Sequence, residues 1–590
     1  MRRIHTDTDK GAVKVRRIGN GMAFSDAKAG AAWKTAAAIG LLLFLLIQVR
    51  PLISHLLADS TPVLTREAAA EAAEKIARER FGVKADRNQA ILVHLSDKRA
   101  WGYFSKEDLL DTYIKTWLKT YPADVYRADL PLPEAEGTLT LFLDMETGRL
   151  AGFRDADATP VSAGPPEDPA AGARLALEYA ARWGHDPAKW QWDGHSAEPH
   201  GYYTFFLRDE TVGEARVLLK VRVPAGFDPA SEAPPPWKNG MVEHEIRVPD
   251  AIAAYMDRQE EWADRMNTLG FIVPQLVMVL LAVTYAALLR RYSSPRRGAL
   301  LSVLFFVLYC IFYINMMPGF YATLMEEGVT PDRGVANAIL TFNLFLLAGM
   351  TLFTYFSAVA GDGLWRSMGF RLWPRWRDAD FGVAVWNGMK QGYMLAPILL
   401  GAQSVILFGL EWGIGMFYAS DVTQSAANMT VSGLLILLAW CAGIAEELQS
   451  RLFGIALFRS WLVDGARRLM GRPISPRTEN ALTVLAMLPP GLIWAFGHVG
   501  YAVYPAYSRL IELTILALML GWFMLRFGFI AVMFAHIILN SALMGMQILL
   551  DGLRGDEGFA IAGLILPFAV AFLIRFAHRR WGRYEPYSDL

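Results

Sequence analysis

Cysteine is nearly missing from this chain: there are two in 590 residues, Cys310 and Cys441, and both lie inside apolar runs. That excludes a disulfide framework, so any soluble part must stand on its own hydrophobic core; the two thiols read as packing residues. Net charge is missing too, with 57 basic residues against 57 acidic ones, so the total carries no sign of a nucleic-acid partner. Charged residues make up 19% of the chain. No H-E-x-x-H sequence occurs, which removes the usual helix-borne zinc protease.

Apolar residues, by contrast, are abundant at 54%, and they are unevenly spread. Residues from about Thr61 to Arg265 have an ordinary polar composition, whereas from Leu269 onward runs of membrane-spanning length follow one another. The fold expected is mainly α: a polytopic helical membrane bundle of about ten transmembrane helices, with an α+β domain inserted after the first. The segments are a basic N-terminus (1–32) with Arg2, Arg3, Lys10, Lys14, Arg16 and Arg17, a signal-anchor helix (33–57), the insert (58–265), helices with loops (266–380), a second helical block (381–578) and a tail (579–590). The anchor is too apolar and too long for a cleaved signal peptide.

Nine further spans are predicted, at about 268–289, 299–322, 336–360, 388–412, 430–458, 480–504, 508–526, 528–550 and 559–577. Arginines fall in alternate loops: Arg290, Arg291, Arg296 and Arg297, then Arg366, Arg371, Arg375 and Arg377, then Arg459, Arg467, Arg468, Arg472 and Arg477, and finally Arg575, Arg579, Arg580 and Arg583. The opposite loops carry Glu326, Glu327, Asp332, Asp421, Asp551, Asp556 and Glu557. Basic loops stay in the cytoplasm. The expectation is an integral plasma-membrane protein with both termini cytoplasmic and residues 58–265 extracytoplasmic.

The insert reads as two similar units. LTREAAAEAAEKIARERFG begins the first, with Thr65 as N-cap and Gly82 after the helix, and LTLFLDMETGRLAGF closes it as a hairpin around Asp144–Gly148. DPAAGARLALEYAARWG begins the second, with Asp168 as cap, Pro169 at the first helical position and Gly184 at the end; strand-like GYYTFFLRD and EARVLLKVRVP follow. The helix-then-hairpin order and the D-x-x-T-G turn resemble PepSY-type domains, which implies a regulatory role outside the membrane. A generic sensor or spacer domain is the alternative.

Glu446 and Glu447 stand side by side in LLILLAWCAGIAEELQSRLFGIALF. A carboxylate at bilayer depth costs roughly 2.5–3.5 kcal/mol on insertion scales, so such residues face inward and mark chemistry or a transport path. Of the ten histidines, His498 and His536 fall inside predicted spans. Glu447 and Arg451 are four apart and share a face, so they pair. Glu446 points about 100° away and is left free to work. His536 and Asn540 share a face by the same spacing, and Trp494 lies one turn from His498. By helical rise Glu446 sits roughly 20 Å, His498 roughly 24–27 Å and His536 roughly 12–15 Å from the cytoplasmic helix ends, so tilt brings the three together near the bilayer middle. Pro489–Pro490 bends the His498 helix.

These motifs resemble the CPBP family: CAAX proteases and bacteriocin-processing enzymes, the glutamate-type intramembrane proteases also called the Abi family. Its E-E-x-x-x-R is matched by Glu446, Glu447 and Arg451. Its F-x-x-x-H is matched at His498, with Trp494 where phenylalanine is usual, and its H-x-x-x-N by His536 and Asn540. The likeness covers roughly residues 385–550. It implies an intramembrane endopeptidase. Glu446, helped by His498, would activate water; His536 and Asn540 would donate to the oxyanion; Glu447, Arg451 and Trp494 would support the site. Water is expected to enter from the cytoplasmic side, and the substrate is a membrane-associated protein or peptide: a prenylated C-terminal motif, a leader peptide or a membrane-anchored regulator. No cofactor is expected. The minority reading places zinc at Glu446, His498 and His536. A silent scaffold or immunity protein and a proton-coupled transporter are the readings from other classes.

Overall fold

The computed structural model describes residues 27–50, 62–132, 137–158, 168–195, 201–329 and 333–582. The basic N-terminal cluster, positions 51–57 of the anchor, Asp332 and the last eight residues lie outside the described residues.

Ten helices among the described residues are long and apolar enough to cross a membrane, and the chain is an integral membrane protein. The first, α1, is Ala27–Phe44 with a π turn to Val49. The insert follows and contains α2 (Arg66–Phe81), β1 (Ile91–Ser96), α3 (Lys98–Lys106), α4 (Leu110–Thr116), β2 (Asp124–Pro131), β3 (Thr138–Asp144), β4 (Leu150–Asp155), α5 (Pro169–Arg182), β5 (Trp190–Trp192), β6 (Tyr203–Leu207), β7 (Arg216–Arg222) and β8 (Met241–Arg247). After it come α6 (Asp250–Leu288), α7 (Pro295–Asn315), the short α8 (Met317–Glu326), α9 (Arg333–Ser367) and α10 (Phe381–Ile414). The strand β9 (Phe417–Tyr418) precedes α11 (Ser432–Met470), α12 (Pro476–Leu485) and α13 (Leu488–Phe496); β10 (Val503–Tyr504) precedes α14 (Tyr507–Phe527), α15 (Phe529–Leu550) and α16 (Glu557–Trp581).

All eight strands of the insert form one antiparallel sheet in the order β1-β2-β3-β4-β8-β7-β6-β5. Each half has a helix and then four strands paired in chain order, with α3 and α4 inserted between β1 and β2 in the first, and the two halves meet through their last strands, where Phe153 faces Val242 and Arg154 faces Met241. The α2 helix sits close on the sheet because Ala69, Ala73 and Ala77, one turn apart, are all fully buried. In the β3–β4 turn, Asp144 Oδ1 accepts from the Glu146 and Thr147 amides at 3.1 and 2.7 Å, and Gly148 takes φ 68°, which explains the D-x-x-T-G sequence.

Several boundaries differ from the sequence reading. The expected border between insert and membrane at residue 265 falls inside one helix: α6 runs unbroken from Asp250, and a π turn at Thr268–Ile272 absorbs Pro274. The predicted span at 480–504 is two helices, because Pro489 and Pro490 start α13 rather than bend a single helix. That helix ends at Phe496, so His498 lies in the turn that follows it. Between α14 and α15 the chain reverses through Gly528 alone, at φ 94° and ψ 166°, backbone that only glycine adopts freely.

Burial orders the bundle. In α11 and α15, 67% of the apolar stretch is buried, against 11% in α1 and α9, so the helices carrying the acidic pair and His536 are central. The anchor packs on α10 where Gly40 meets Gly401; a Cβ on Gly401 would sit on the Gly40 backbone.

The insert is fastened to the bundle. Asn428, fully buried just ahead of α11, accepts from the His94 amide at 2.7 Å and donates to the His94 and Val422 carbonyls at 2.8 and 2.9 Å. It thereby completes the outer edge of β1. His94 also reaches Ser425 Oγ at 2.9 Å, and Lys98 and Arg99 pair with Glu260 and Asp257 on α6 at 2.7 and 2.9 Å. Replacing Asn428 by alanine strands a buried amide and carbonyl on β1, each worth about 1–3 kcal/mol. We expect faster hydrogen exchange at residues 91–96 and a lower thermal midpoint for Asn428→Ala; unchanged exchange at His94 would contradict this fastening.

Candidate active site

The acidic pair sits where α11 changes its winding. Ile436–Glu446 is α-helical and Glu447–Gly454 is π-helical. Such turns widen the helix and recur at functional sites. Glu447 and Arg451 are 0% and 1% exposed. Glu447 Oε1 lies 3.5 Å from Arg451 Nη1, an ion pair beyond hydrogen-bond range, and 2.7 Å from His536 Nδ1. Glu447 is therefore held from two sides, by its own helix and by α15.

Glu446 is not free, as its spacing suggested. Its Oε2 accepts the Trp494 indole N–H at 2.5 Å. His498 Nε2 stands 3.7 Å from Glu446 Oε1 and His536 Nε2 stands 3.8 Å from Glu446 Oε2. Each imidazole is aimed by its other nitrogen: His498 Nδ1 faces the Trp494 carbonyl at 2.8 Å, an acceptor only, and His536 Nδ1 faces the Glu447 carboxylate. Both rings therefore carry the Nδ1 proton and present Nε2 to Glu446. The two separations exceed a hydrogen bond.

Trp494 is the centre of the packing. The Arg451 guanidinium lies 4.1 Å from its ring centre, and the His498 and His536 rings meet it edge-on at 5.1 and 6.0 Å. A phenylalanine offers the same faces but no N–H. The indole donor was visible in the sequence as a departure from the motif, yet its use depends on Glu446 lying within reach.

These groups line a cavity of about 320 Å3 with Asn540, one turn along α15 from His536. Gln275, Gln403, Gln424, Gln449 and Arg509 add polar lining to walls of Leu438, Ile493, Leu513, Leu539 and Leu543. Tyr501 stacks parallel to His498 with ring centres 5.9 Å apart, and the Arg509 guanidinium lies 5.1 Å from the Tyr501 ring centre. Behind them Glu512, fully buried, accepts from Arg509 and Gln403 at 2.6 and 2.7 Å. This network went unread in the sequence, although an acid inside LIELTILALML is the same kind of signal as Glu446.

The cavity reaches the end of the bundle that bears the insert. Gln424 and Tyr501 belong to the two loops that carry β9 and β10, and Tyr418 in β9 donates its amide to Ser105 of α3 at 3.2 Å. The turn holding His498 lies at this end because α13 stops at Phe496. Among the described residues no set of three His, Cys, Asp or Glu is arranged to hold a metal ion.

No curated protein and no solved structure matches the chain. Residues 428–542, the stretch that supplies Glu446, Trp494, His498, His536 and Asn540, match the family model described as Type II CAAX prenyl endopeptidase Rce1-like, so the membrane core of this chain has the CPBP likeness that its motifs indicated.

Proposed function

We propose that this chain is an intramembrane endopeptidase that hydrolyses membrane-associated proteins or peptides with a water activated by Glu446. The observation that carries the reading is the convergence of two Nε2 atoms, at 3.7 and 3.8 Å, on one carboxylate inside a cavity of the bundle.

Each group has a task that suits its surroundings. Glu446 takes the proton of the attacking water while His498 helps hold that water, and Glu446 then delivers the proton to the leaving amine nitrogen as the C–N bond breaks. His536, oriented by the Glu447 carboxylate at its Nδ1, faces the developing oxyanion through Nε2; Asn540 donates beside it through its amide. Glu447 and Arg451 orient His536 and brace Trp494, and Trp494 holds the Glu446 carboxylate in place. Leucine walls keep lipid and bulk water away, which strengthens each of these interactions. The matched family description names a CAAX prenyl endopeptidase, so prenylated C-terminal peptides head the substrate panel, ahead of leader peptides and membrane-anchored regulators.

The reading includes an orientation. The loops with Arg291, Arg371 and Arg472 lie at the end of the bundle opposite the insert, so the positive-inside rule puts the insert outside the cytoplasm. Cys310 and Cys441 lie within spans and leave little background for labelling. A membrane-impermeant maleimide is expected to label Ala230→Cys in intact cells and Arg291→Cys after lysis alone; the reverse pattern inverts the topology.

Purified wild-type protein should cleave members of that panel. Glu446→Gln and His498→Ala are expected to lower the rate by at least about 100-fold while keeping the wild-type thermal midpoint, and a strong chelator is expected to leave the rate unchanged. No cleavage by the wild type, or full rates in both variants, would sink the proposal.

Trp494→Phe keeps the ring and removes the N–H. A hydrogen bond to a charged group is worth about 1.5–3 kcal/mol, so kcat should fall roughly 10- to 100-fold with KM nearly constant. A wild-type kcat would mean that the indole only packs.

A further inference from the structure

The two halves of the insert's sheet touch over few residues. Their last strands, β4 and β8, pair at Phe153↔Val242 and Arg154↔Met241 and then part. A cavity of about 240 Å3 lies at this seam. Ala151 and Gly152 line it from β4, Glu243, His244 and Glu245 from β8, and Ser96 and Asp97 from the end of β1. Seams between structural units are common ligand sites.

Its charge does not balance. Three carboxylates, Asp97, Glu243 and Glu245, line the cavity with one cation, Lys220. Lys220 pairs with Glu245. Arg154 stands 3.6 Å from Glu243 Oε1; Arg127 and Arg222 act on Glu243 from farther off, and Arg127 is engaged by Asp129 at 2.9 Å. Asp97 has no such partner: its charged neighbours are Glu245 and Asp124, and burial first, then these two acids, push its carboxyl up to about 6. Burial lowers the His244 pKa, so that ring adds no positive charge.

One acceptor is idle as well. Ser96 is 8% exposed, and its Oγ has no hydrogen-bond partner; Glu243 Oε1, also buried, accepts no hydrogen bond and meets Arg154 only at ion-pair distance. A buried polar atom without a partner marks a missing ligand or water. The acids gathered at Asp97, the idle Ser96 oxygen and apolar walls from Leu95, Val125 and Phe142 suit a monovalent organic cation. A metal ion suits the cavity less, because no three His, Cys, Asp or Glu among the described residues are arranged to hold one.

We propose that the seam cavity binds a single ammonium group, held by Asp97 and Glu243 with Ser96 Oγ as a third acceptor. The group is carried by a small amine or by a lysine side chain. Occupancy has a route to the membrane: Asp97 caps α3 by accepting from the Ala100 amide at 3.0 Å, and Ser105 near the far end of α3 receives the Tyr418 amide beside the candidate active site.

Titration calorimetry on the full chain in detergent tests this without any protease assay. Butylammonium probes a free amine, N-acetyl-lysine methylamide probes a lysine side chain, and butanol is the neutral control. Binding of either amine without butanol binding is expected, and which amine binds more tightly identifies the source. Asp97→Asn, which still caps a helix, and Glu243→Gln should each weaken binding at least tenfold. Lys220→Met, which deepens the negative excess, should tighten it. If neither amine binds, if butanol binds equally well, or if folded Asp97→Asn and Glu243→Gln proteins bind like wild type, the site does not exist.

Discussion

A carboxylate inside a membrane-spanning bundle costs roughly 2.5–3.5 kcal/mol on insertion scales unless its surroundings answer it. Around Glu446 the answer comes from three elements that are distant in sequence. Trp494 supplies a hydrogen bond from α13, His498 supplies an imidazole from the turn after it, and His536 supplies another from α15. None of these would stay in place alone. Trp494 is braced by Arg451, His498 by a backbone carbonyl, and His536 by Glu447. The second glutamate thus orients the group that faces the first. A charge that would otherwise eject the helix from the bilayer instead organises the centre of the bundle.

The same demand explains the irregular backbone. A π turn at Glu447–Gly454 lets two successive carboxylates reach different partners in one cavity. The short α13 lets His498 enter from a turn, where its Nδ1 can use the Trp494 carbonyl. Unwound backbone at this depth is tolerated where protein or a water-filled cavity surrounds it, and β9–β10 with the insert above them supply that cover. The insert accordingly packs against the loops at one end of the cavity. Its edge strand is completed by Asn428, a few residues before the helix that carries the acidic pair.

Much of this was legible in the chain. Spans of twenty or so apolar residues have few alternatives in water, so the ten helices could be counted, and alternate arginine-rich loops ordered them. The spacing of Glu447 and Arg451, and of His536 and Asn540, placed each pair on one face, since helical geometry is local. Other features were not local. The insert's eight strands were only partly read because β1, β2, β5 and β8 draw their stability from neighbours up to about a hundred residues away. The end of α13 was missed because apolar residues continue past Phe496; the hairpin pairing of Val503–Tyr504 with Phe417–Tyr418 takes over there.

The sequence by itself determined that this is a membrane bundle with an α+β insert, and that two glutamates, two histidines and an asparagine lie on successive apolar segments. Hydrophobic length and helical spacing are properties of short stretches, so no folding is needed to read them. Only the tertiary structure decided which glutamate meets which histidine, that an indole N–H takes the Glu446 carboxylate, and that the cavity reaches the insert-bearing end. Those outcomes depend on the rotation and depth at which α11, α13 and α15 pack, and side-chain fit across the whole bundle sets both.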